Sequence, residues 1–231
     1  METKLTPLAE GLYAIDQGMV RSYLIVGGEK ALLLDAGVAP CDILALIRSV
    51  TELPVVFVLT HTDRDHTANA GVFPVHCLHA DEAAGYTPAE GCRAEALQEG
   101  AVFELGGRTL ELLHIPGHTP GSLALLDRER REIFSGDTVS LASVFMFGPS
   151  RSMENYLASL RRLKAMAEAG EFTAVWPSHG PCPLDTGVIG ELILCAEGIR
   201  SGEITGEAAQ MSMPGPAPLL GRYGRVSILF R

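Results

Sequence analysis

Apolar residues in the first part of the chain come in short runs separated by glycine turns, a pattern of strands rather than helices. Leu12–Ile15, Ser22–Val26 and Ala31–Asp35, the last two flanking Gly27-Gly28, predict an antiparallel meander. Beyond Pro40 the apolar positions Ile43, Leu44, Ile47 and Val50 change to helical spacing, and Pro54 opens a strand that runs through Val55–Leu59 into Thr60. A short strand over Pro74–Leu78, a short helix over Ala80–Tyr86 and a hairpin over Phe103–Leu110 turning at Gly106-Gly107 follow. Leu110–Ile115 is a strand, and Ser122–Leu126 is expected to pair with Glu132–Ser135 across a turn at Asp127–Arg131. Ser152 suits the N-cap of a helix carrying Tyr156, Leu157, Leu160, Leu163 and Met166 at core spacing, closed by Gly170. Phe172–Pro177 predicts a strand, Val188–Ile199 a helix and Arg225–Phe230 a terminal strand, with Pro214–Pro218 a loop. Strands and helices alternate along the chain, so the fold class is α/β.

With 231 residues, 47% of them hydrophobic, the chain is expected to build one sizeable domain over residues 1–231. Its 18 Lys and Arg against 28 Asp and Glu give a net charge of −10, a field that repels phosphate backbones. Nucleic acid is therefore not an expected partner, and a small-molecule substrate is. Arg128-Glu129-Arg130-Arg131, a basic run that carries its own acid, reads as a solvated turn. The cysteines Cys41, Cys77, Cys92, Cys182 and Cys195 are odd in number and lack Cys-x-x-Cys spacing, which points to reduced thiols. Met1–Pro7 has no basic region leading into an apolar one, and no run approaches ~18 apolar residues. A cytoplasmic protein without membrane attachment is the expectation.

The candidate chemistry lies at strand ends. Directly after Val55–Leu59, the segment Thr60-His61-Thr62-Asp63-Arg64-Asp65-His66 places four metal-ligating side chains within six residues. His118 follows another strand within Gly-His-Thr-Pro-Gly-Ser, Asp137 lies in Ser-Gly-Asp-Thr, and His179 in Pro-Ser-His-Gly. Strand ends on one sheet edge can gather such scattered donors, and imidazole with carboxylate suits a borderline or hard cation. Asp35-Ala36-Gly37 is a candidate support for the ligands, although a strand-ending Asp-x-Gly is also a common turn. His76, His79 and His114 follow no ligand pattern and read as surface or satisfied core residues. Cys182 reads as an inert thiol and Phe145-Met146-Phe147 as core in preference to pocket lining. Arg222 and Tyr223 have only their position near the terminal strand to recommend them, so substrate-binding residues stay unassigned.

Order and local sequence at all these clusters resemble the metallo-β-lactamase superfamily, including its glyoxalase II-like and lactonase-like members. There, His-x-His-x-Asp-His is followed by an isolated His, a bridging Asp and a last His. The resemblance covers nearly the whole chain and implies a four-layer αββα sandwich, two mixed β-sheets flanked by helices. It also implies two divalent metal ions, zinc by default. One would take His61, residue 63, His118 and Asp137; the other would take Asp65, His66, His179 and the same Asp137. The implied activity is a metal-dependent hydrolase in which a metal-bridging hydroxide, oriented by Asp65, attacks an ester, thioester, lactone or phosphoester of a small molecule. Asp63 departs from the pattern, standing where most members have the second histidine. As a ligand it makes the first site harder and more anionic, admitting iron or manganese, and the flavodiiron proteins have a glutamate there. Otherwise it caps the following short helix or hydrogen-bonds a ligand. Two rival expectations follow from it: an iron-dependent redox protein of flavodiiron or persulfide dioxygenase type, and a metal-binding scaffold that has lost catalysis.

Overall fold

A computed structural model describes residues 2–209 and 216–231. The expected meander is present as β1 (Lys4–Ala9), β2 (Leu12–Asp16), β3 (Arg21–Val26) and β4 (Ala31–Leu34), all antiparallel. Helix α1 (Ile43–Arg48) then carries the chain to β5 (Val55–Val58), parallel to β4. The one-turn helix α2 (Arg64–Thr67), strand β6 (Val75–His79), the one-turn α3 (Ala80–Ala83) and β7 (Arg93–Leu97) complete a seven-stranded mixed sheet, with β5, β6 and β7 in parallel register.

The second sheet is built from β8 (Val102–Glu104), β9 (Thr109–His114), β10 (Leu123–Asp127) and β11 (Glu132–Gly136), antiparallel in turn. A short strand, β12 (Val144–Phe145), and the long helix α4 (Met153–Glu168) come next; β13 (Ala174–Pro177) then joins parallel to β11, with β14 (Leu184–Asp185) on its far side. Helix α5 (Gly187–Ser201), β15 (Glu207–Ala208), β16 (Leu219–Tyr223) and β17 (Val226–Phe230) end the chain.

Three apolar clusters account for the layers. Alternate residues of β4 and β10 point to opposite faces, and all are buried, because both faces of each sheet are covered. Leu32 and Leu34 meet Leu112, Leu125 and Phe134 between the sheets. Leu33 and Phe57 pack with Ile43 and Ile47 of α1 on one outer face, while Ala124, Leu126 and Ile133 pack with α4 and α5 on the other. The order helix, sheet, sheet, helix is the expected αββα sandwich.

The expected terminal strand is present as β17. Instead of joining either principal sheet, β17 forms a third, four-stranded sheet with β12, β16 and β15. Val226 and Ile228 bury against the α4–α5 cluster, so the strand is held by the helical layer rather than by a sheet edge. Of the loop expected at Pro214–Pro218, Pro214 and Gly215 lie outside the described residues. Among the described residues, no helix is long and apolar enough to cross a membrane.

Candidate metal centre

Strand termini deliver every candidate ligand to one edge of the sandwich. His61 and Asp63 follow β5, Asp65 and His66 lie in α2, His118 sits between β9 and β10, Asp137 follows β11, and His179 follows β13. Asp137 is central: its Oδ1 lies 3.2 Å from His66 Nε2, and its Oδ2 lies 3.2 Å from His179 Nε2, 3.6 Å from His118 Nε2 and 4.0 Å from His61 Nε2. Asp65 Oδ2 is 3.4 Å from His179 Nε2, and Asp63 Oδ2 is 3.3 Å from His118 Nε2 and 3.6 Å from His61 Nε2.

The outer atoms of the imidazoles fix their tautomers. His118 Nδ1 donates to the Phe145 carbonyl at 2.9 Å, and His179 Nδ1 donates to the Met19 carbonyl. His66 Nδ1 lies 2.8 Å from Asp35 Oδ2, while the Thr60 hydroxyl donates to the same carboxylate and accepts from His61 Nδ1 at 2.9 Å. With Nδ1 engaged outward on each ring, all four turn Nε2 inward. Asp35 is the support suggested by the sequence. Fully buried, it also accepts from the Thr60 amide at 2.8 Å and lies within 3.4 Å of Ser178 Oγ. Its φ of 63° is a left-handed conformation that a short polar side chain tolerates better than most.

A second buried carboxylate, Glu82 of α3, was not legible in the sequence. Its Oε1 accepts from the Thr62 amide at 2.9 Å and the Thr62 hydroxyl at 2.7 Å, and its Oε2 accepts from the Gly121 amide at 3.1 Å. It thus clamps the His61 loop to the His118 loop. A glutamate in a one-turn helix looks like an exposed residue, and only the crossing of α3 over the two loops reveals its role. Helix α4 fixes the same region from the other side. Ser152 donates its amide to Gly117 O at 2.9 Å, Ser159 its hydroxyl to Pro116 O at 2.7 Å, and Tyr156 its hydroxyl to Thr138 O at 2.9 Å. Gly117, at φ 142°, passes so close to this helix that a Cβ would lie 2.4 Å from Tyr156 Cα.

Asp63 occupies the N-cap position of α2 but makes no capping hydrogen bond. Its side chain instead turns to the ligands and forms an ion pair with Arg151, a second residue missed by sequence reasoning, 88 positions away. Burial alone would raise the Asp63 carboxyl, but the adjoining imidazoles of His118 and His61 and the charge of Arg151 hold it far below the ordinary range. Asp137 behaves alike: burial opposes ionisation, and the surrounding imidazoles, His66 foremost, outweigh it. His179, despite burial, is raised to about 10 by Asp137 and Asp65, whereas burial lowers His118.

The Nε2 atoms of His61, His66 and His118 and Oδ1 of Asp137 are buried and have no hydrogen-bond partner among the described residues. Lone pairs left bare in this way fit cations rather than a self-contained polar core. The donor atoms fall into two groups, His61, His118 and Asp137, and Asp65, His66 and His179, each with its ligand atoms within 4.8 Å of one another. Asp137 faces both groups, and the residues could hold divalent cations. A third group, His79, Asp81 and His114, is also close enough. Its imidazoles, however, are stacked at 3.6 Å and 10°, so their in-plane lone pairs run parallel instead of converging. His79 Nδ1 already accepts from the Asp81 amide, and His114 Nε2 faces the Pro120 carbonyl.

The ligands lie in a cavity of about 630 Å³ whose remaining wall includes Met19, Ala142, Phe145 and Leu229. Phe145-Met146-Phe147 is therefore only partly core: Met146 is buried in the helical cluster, Phe145 lines this cavity, and Phe147 lines a neighbouring one. Arg222 and Tyr223, on β16, do not line the cavity, and Cys182 packs against the inter-sheet core.

Comparisons with known proteins agree with this geometry. Over 218 residues the chain is 28% identical to the acyl-coenzyme A thioesterase MBLAC2 of Gallus gallus, covering 75% of this chain and 79% of that protein. A metallo-beta-lactamase from Pontibacter korlensis superposes with a TM-score of 0.71 at 18% identity, over 85% of this chain and 99% of the other. TTHA1623, solved in a di-iron-bound form, is 28% identical, with a TM-score of 0.61 over 77% of this chain and 95% of its own. Residues 15–179, which hold every candidate ligand, match the sequence pattern of one family, and the chain belongs to the metallo-beta-lactamase superfamily.

Proposed function

We propose that this protein is a metal-dependent hydrolase of acyl thioesters. The observation that carries the proposal is the convergence of two ligand groups sharing Asp137 at the floor of a cavity with an apolar wall. In this reading His61, His118 and Asp137, with Asp63 alongside, would hold one divalent ion, and Asp65, His66 and His179, with Asp137 facing them, would hold the other. Ions bound there supply Lewis acidity for the acyl carbonyl and lower the pKa of a water molecule. Zinc is the default, and the oxygen donor at position 63 also admits iron or manganese.

The chain's own residues perform the rest. Met19, Phe145 and Leu229 take the acyl chain out of water and leave its carbonyl over the ligands. Asp65, which hydrogen bonding from His179 and the charge of His66 keep ionised against the effect of burial, accepts a hydrogen bond from the attacking water at Oδ2 and aims it. Water oxygen bonds to the acyl carbon, the C–S bond breaks and its electron pair leaves with sulfur; the two protons of the water pass to solvent, one of them returning to the thiolate, giving carboxylate, thiol and one proton. A thiol has a pKa of about 8.5, so it leaves as thiolate without an acid to protonate it, unlike an alcohol or amine. Among the described residues lining the cavity, the polar side chains besides the ligands are Arg64 and Ser143, neither of which gives up a proton near neutral pH. The thioester is favoured on that ground and by the likeness to an acyl-coenzyme A thioesterase.

The test is thiol release from acyl-N-acetylcysteamine and acyl-coenzyme A thioesters by protein stripped with chelator and reloaded with zinc, manganese or iron(II). Turnover that depends on added metal is expected. Absence of metal-dependent thiol release across acyl chains from acetyl to palmitoyl would overturn the proposal. A second reading, iron-dependent redox chemistry on the same ligands, is supported by Asp63 and by the likeness to a protein solved in a di-iron-bound form. It expects oxygen uptake with iron alone, and turnover supported by zinc counts against it.

A further inference from the structure

Behind the metal cavity lies a second one, of about 510 Å³, and its lining is of opposite character. The ribbon of β12 and β17 is the wall between them. Phe145 and Leu229 face the metal side, and Phe147 and Phe230 face the other. Three arginines, Arg151, Arg200 and Arg231, line the second cavity, and among the described residues no acidic side chain lines it. For a chain with a net charge of −10 this is a marked local reversal.

The other arginines of the fold divide into two sets, and among the described residues Arg48, Arg64, Arg130, Arg131 and Arg222 form no ion pair with a carboxylate. Arg21, Arg93, Arg108, Arg128, Arg161, Arg162 and Arg225 all pair with carboxylates. Among the described residues Arg200 and Arg231 have no such partner; the Arg231 guanidinium lies instead 5.0 Å from the centre of the Phe147 ring. Arg151 is only 12% exposed; it meets Asp63 through one terminal nitrogen, and its Nε is buried without a partner. Its guanidinium therefore joins the two cavities, with Asp63 and the ligands on one side and the arginine-lined groove on the other.

We propose that this groove binds the phosphate groups on the thiol half of the thioester, with Arg200 and Arg231 as the principal contacts. The inference rests on the thioester reading above. Guanidinium groups match phosphate oxygens with paired donors, and Phe147 and Phe230 offer apolar faces beside them. The acyl half then lies against Phe145 and Leu229, and the phosphate-bearing half passes Arg151 to the other side of the ribbon. Two sources carry this chemistry: a free coenzyme A-type nucleotide, or phosphopantetheine borne on a carrier protein.

The test has a binding arm that needs neither metal nor turnover. Calorimetric titration of the intact protein with 3′-phospho-ADP, and separately with 4′-phosphopantetheine, is compared with the double variant Arg200→Gln/Arg231→Gln. Charge-assisted hydrogen bonds of this type predict affinity lower by about tenfold or more in the variant, and weaker binding at higher salt. In the kinetic arm, the ratio of kcat/KM for acyl-coenzyme A to that for acyl-N-acetylcysteamine, which has no phosphate, falls by about the same factor. Arginine-dependent binding of 3′-phospho-ADP supports the groove with a nucleotide as source, and such binding of phosphopantetheine alone supports it with a carrier protein. If neither probe's affinity nor the substrate ratio responds to loss of the arginines, the subsite is overturned even where both thioesters are hydrolysed. If neither thioester is hydrolysed while 3′-phospho-ADP still binds through the arginines, the anion site stands and the thioester reading fails.

Discussion

At the scale of single residues, ligands and their supports differ in how visible they are. His61, Asp65, His66, His118, Asp137 and His179 stand in short local motifs, so their order along the chain is enough to assemble them. Asp35 was half visible, since its turn is common but its burial is not. Arg151 and Glu82 were invisible, because what they do depends on partners far along the chain and on the angle at which α3 and α4 cross the ligand loops. Asp35 gives the sharpest prediction. Its carboxylate holds the Nδ1 proton of His66 and, through the Thr60 hydroxyl, sets His61. Asp35→Asn should lower metal affinity by about 10- to 100-fold, as measured by competition with a chromophoric chelator. Unchanged affinity would mean that the histidines hold their orientation without it. For Asp63, the expected outcome of Asp63→His is a shift of preference toward zinc over manganese, since an imidazole replaces an oxygen donor and Arg151 loses its carboxylate.

Elements make a second class of prediction. Strands with strong apolar patterning, β3 to β5 and β9 to β11, were legible, as were α1, α4 and α5. Strands β1 and β7 were not. Both are edge strands: β1 has a single β-branched residue, Thr6, followed by Pro7 and a bulge, and β7, reading Arg-Ala-Glu-Ala-Leu, has no β-branched or aromatic residue to mark it. Helix α4 was legible as a helix but not as the brace of the site. Ser152 caps it by accepting from the Asn155 amide at 3.2 Å, and Ser152→Ala should cost about 1 kcal/mol, read as a lower urea midpoint. Gly117→Ala should cost more, because a Cβ there meets Tyr156 Cα at 2.4 Å and the backbone at φ 142° disfavours any side chain.

The clamp by Glu82 between α3 and the ligand loops adds a pH dependence. Burial alone would raise its carboxyl, but hydrogen bonds from Thr62 and Thr119 hold it below the ordinary 4.5. A carboxyl depressed in the folded state stabilises the fold above its unfolded pKa and loses that contribution as pH falls through the folded value. In chelator-treated protein, the stability gap between wild type and Glu82→Gln should therefore narrow as pH falls below 4.5. A gap that widens in acid would contradict the clamp.

For the whole molecule, the layer order was implied by the family resemblance and not by any one strand, and the three apolar clusters show what holds those layers together. The third sheet was beyond reach, since nothing local distinguishes a strand that packs on helices from one that extends a sheet. The arrangement has one global consequence. Asp63, Asp65 and Asp137 converge in one cavity of a chain that already carries a net charge of −10. Arg151 pairs with only one of them and the imidazoles turn Nε2 toward the same space, so cations bound there should stabilise the folded state over an unfolded chain that has no assembled site. Linkage gives about 2.7 kcal/mol for one site at free metal a hundredfold above Kd. At roughly 2–4 °C per kcal/mol for a domain of this size, reloading stripped protein should raise Tm by about 5–10 °C. Because Asp137 faces both ligand groups, Asp137→Ala should remove most of that rise, whereas loss of His179, which serves one group, should leave part of it. Calorimetric scans of wild type and both variants, with and without chelator, decide the matter. Equal metal-induced shifts in all three would mean that Asp137 joins neither group, and that the two sites do not share a bridge.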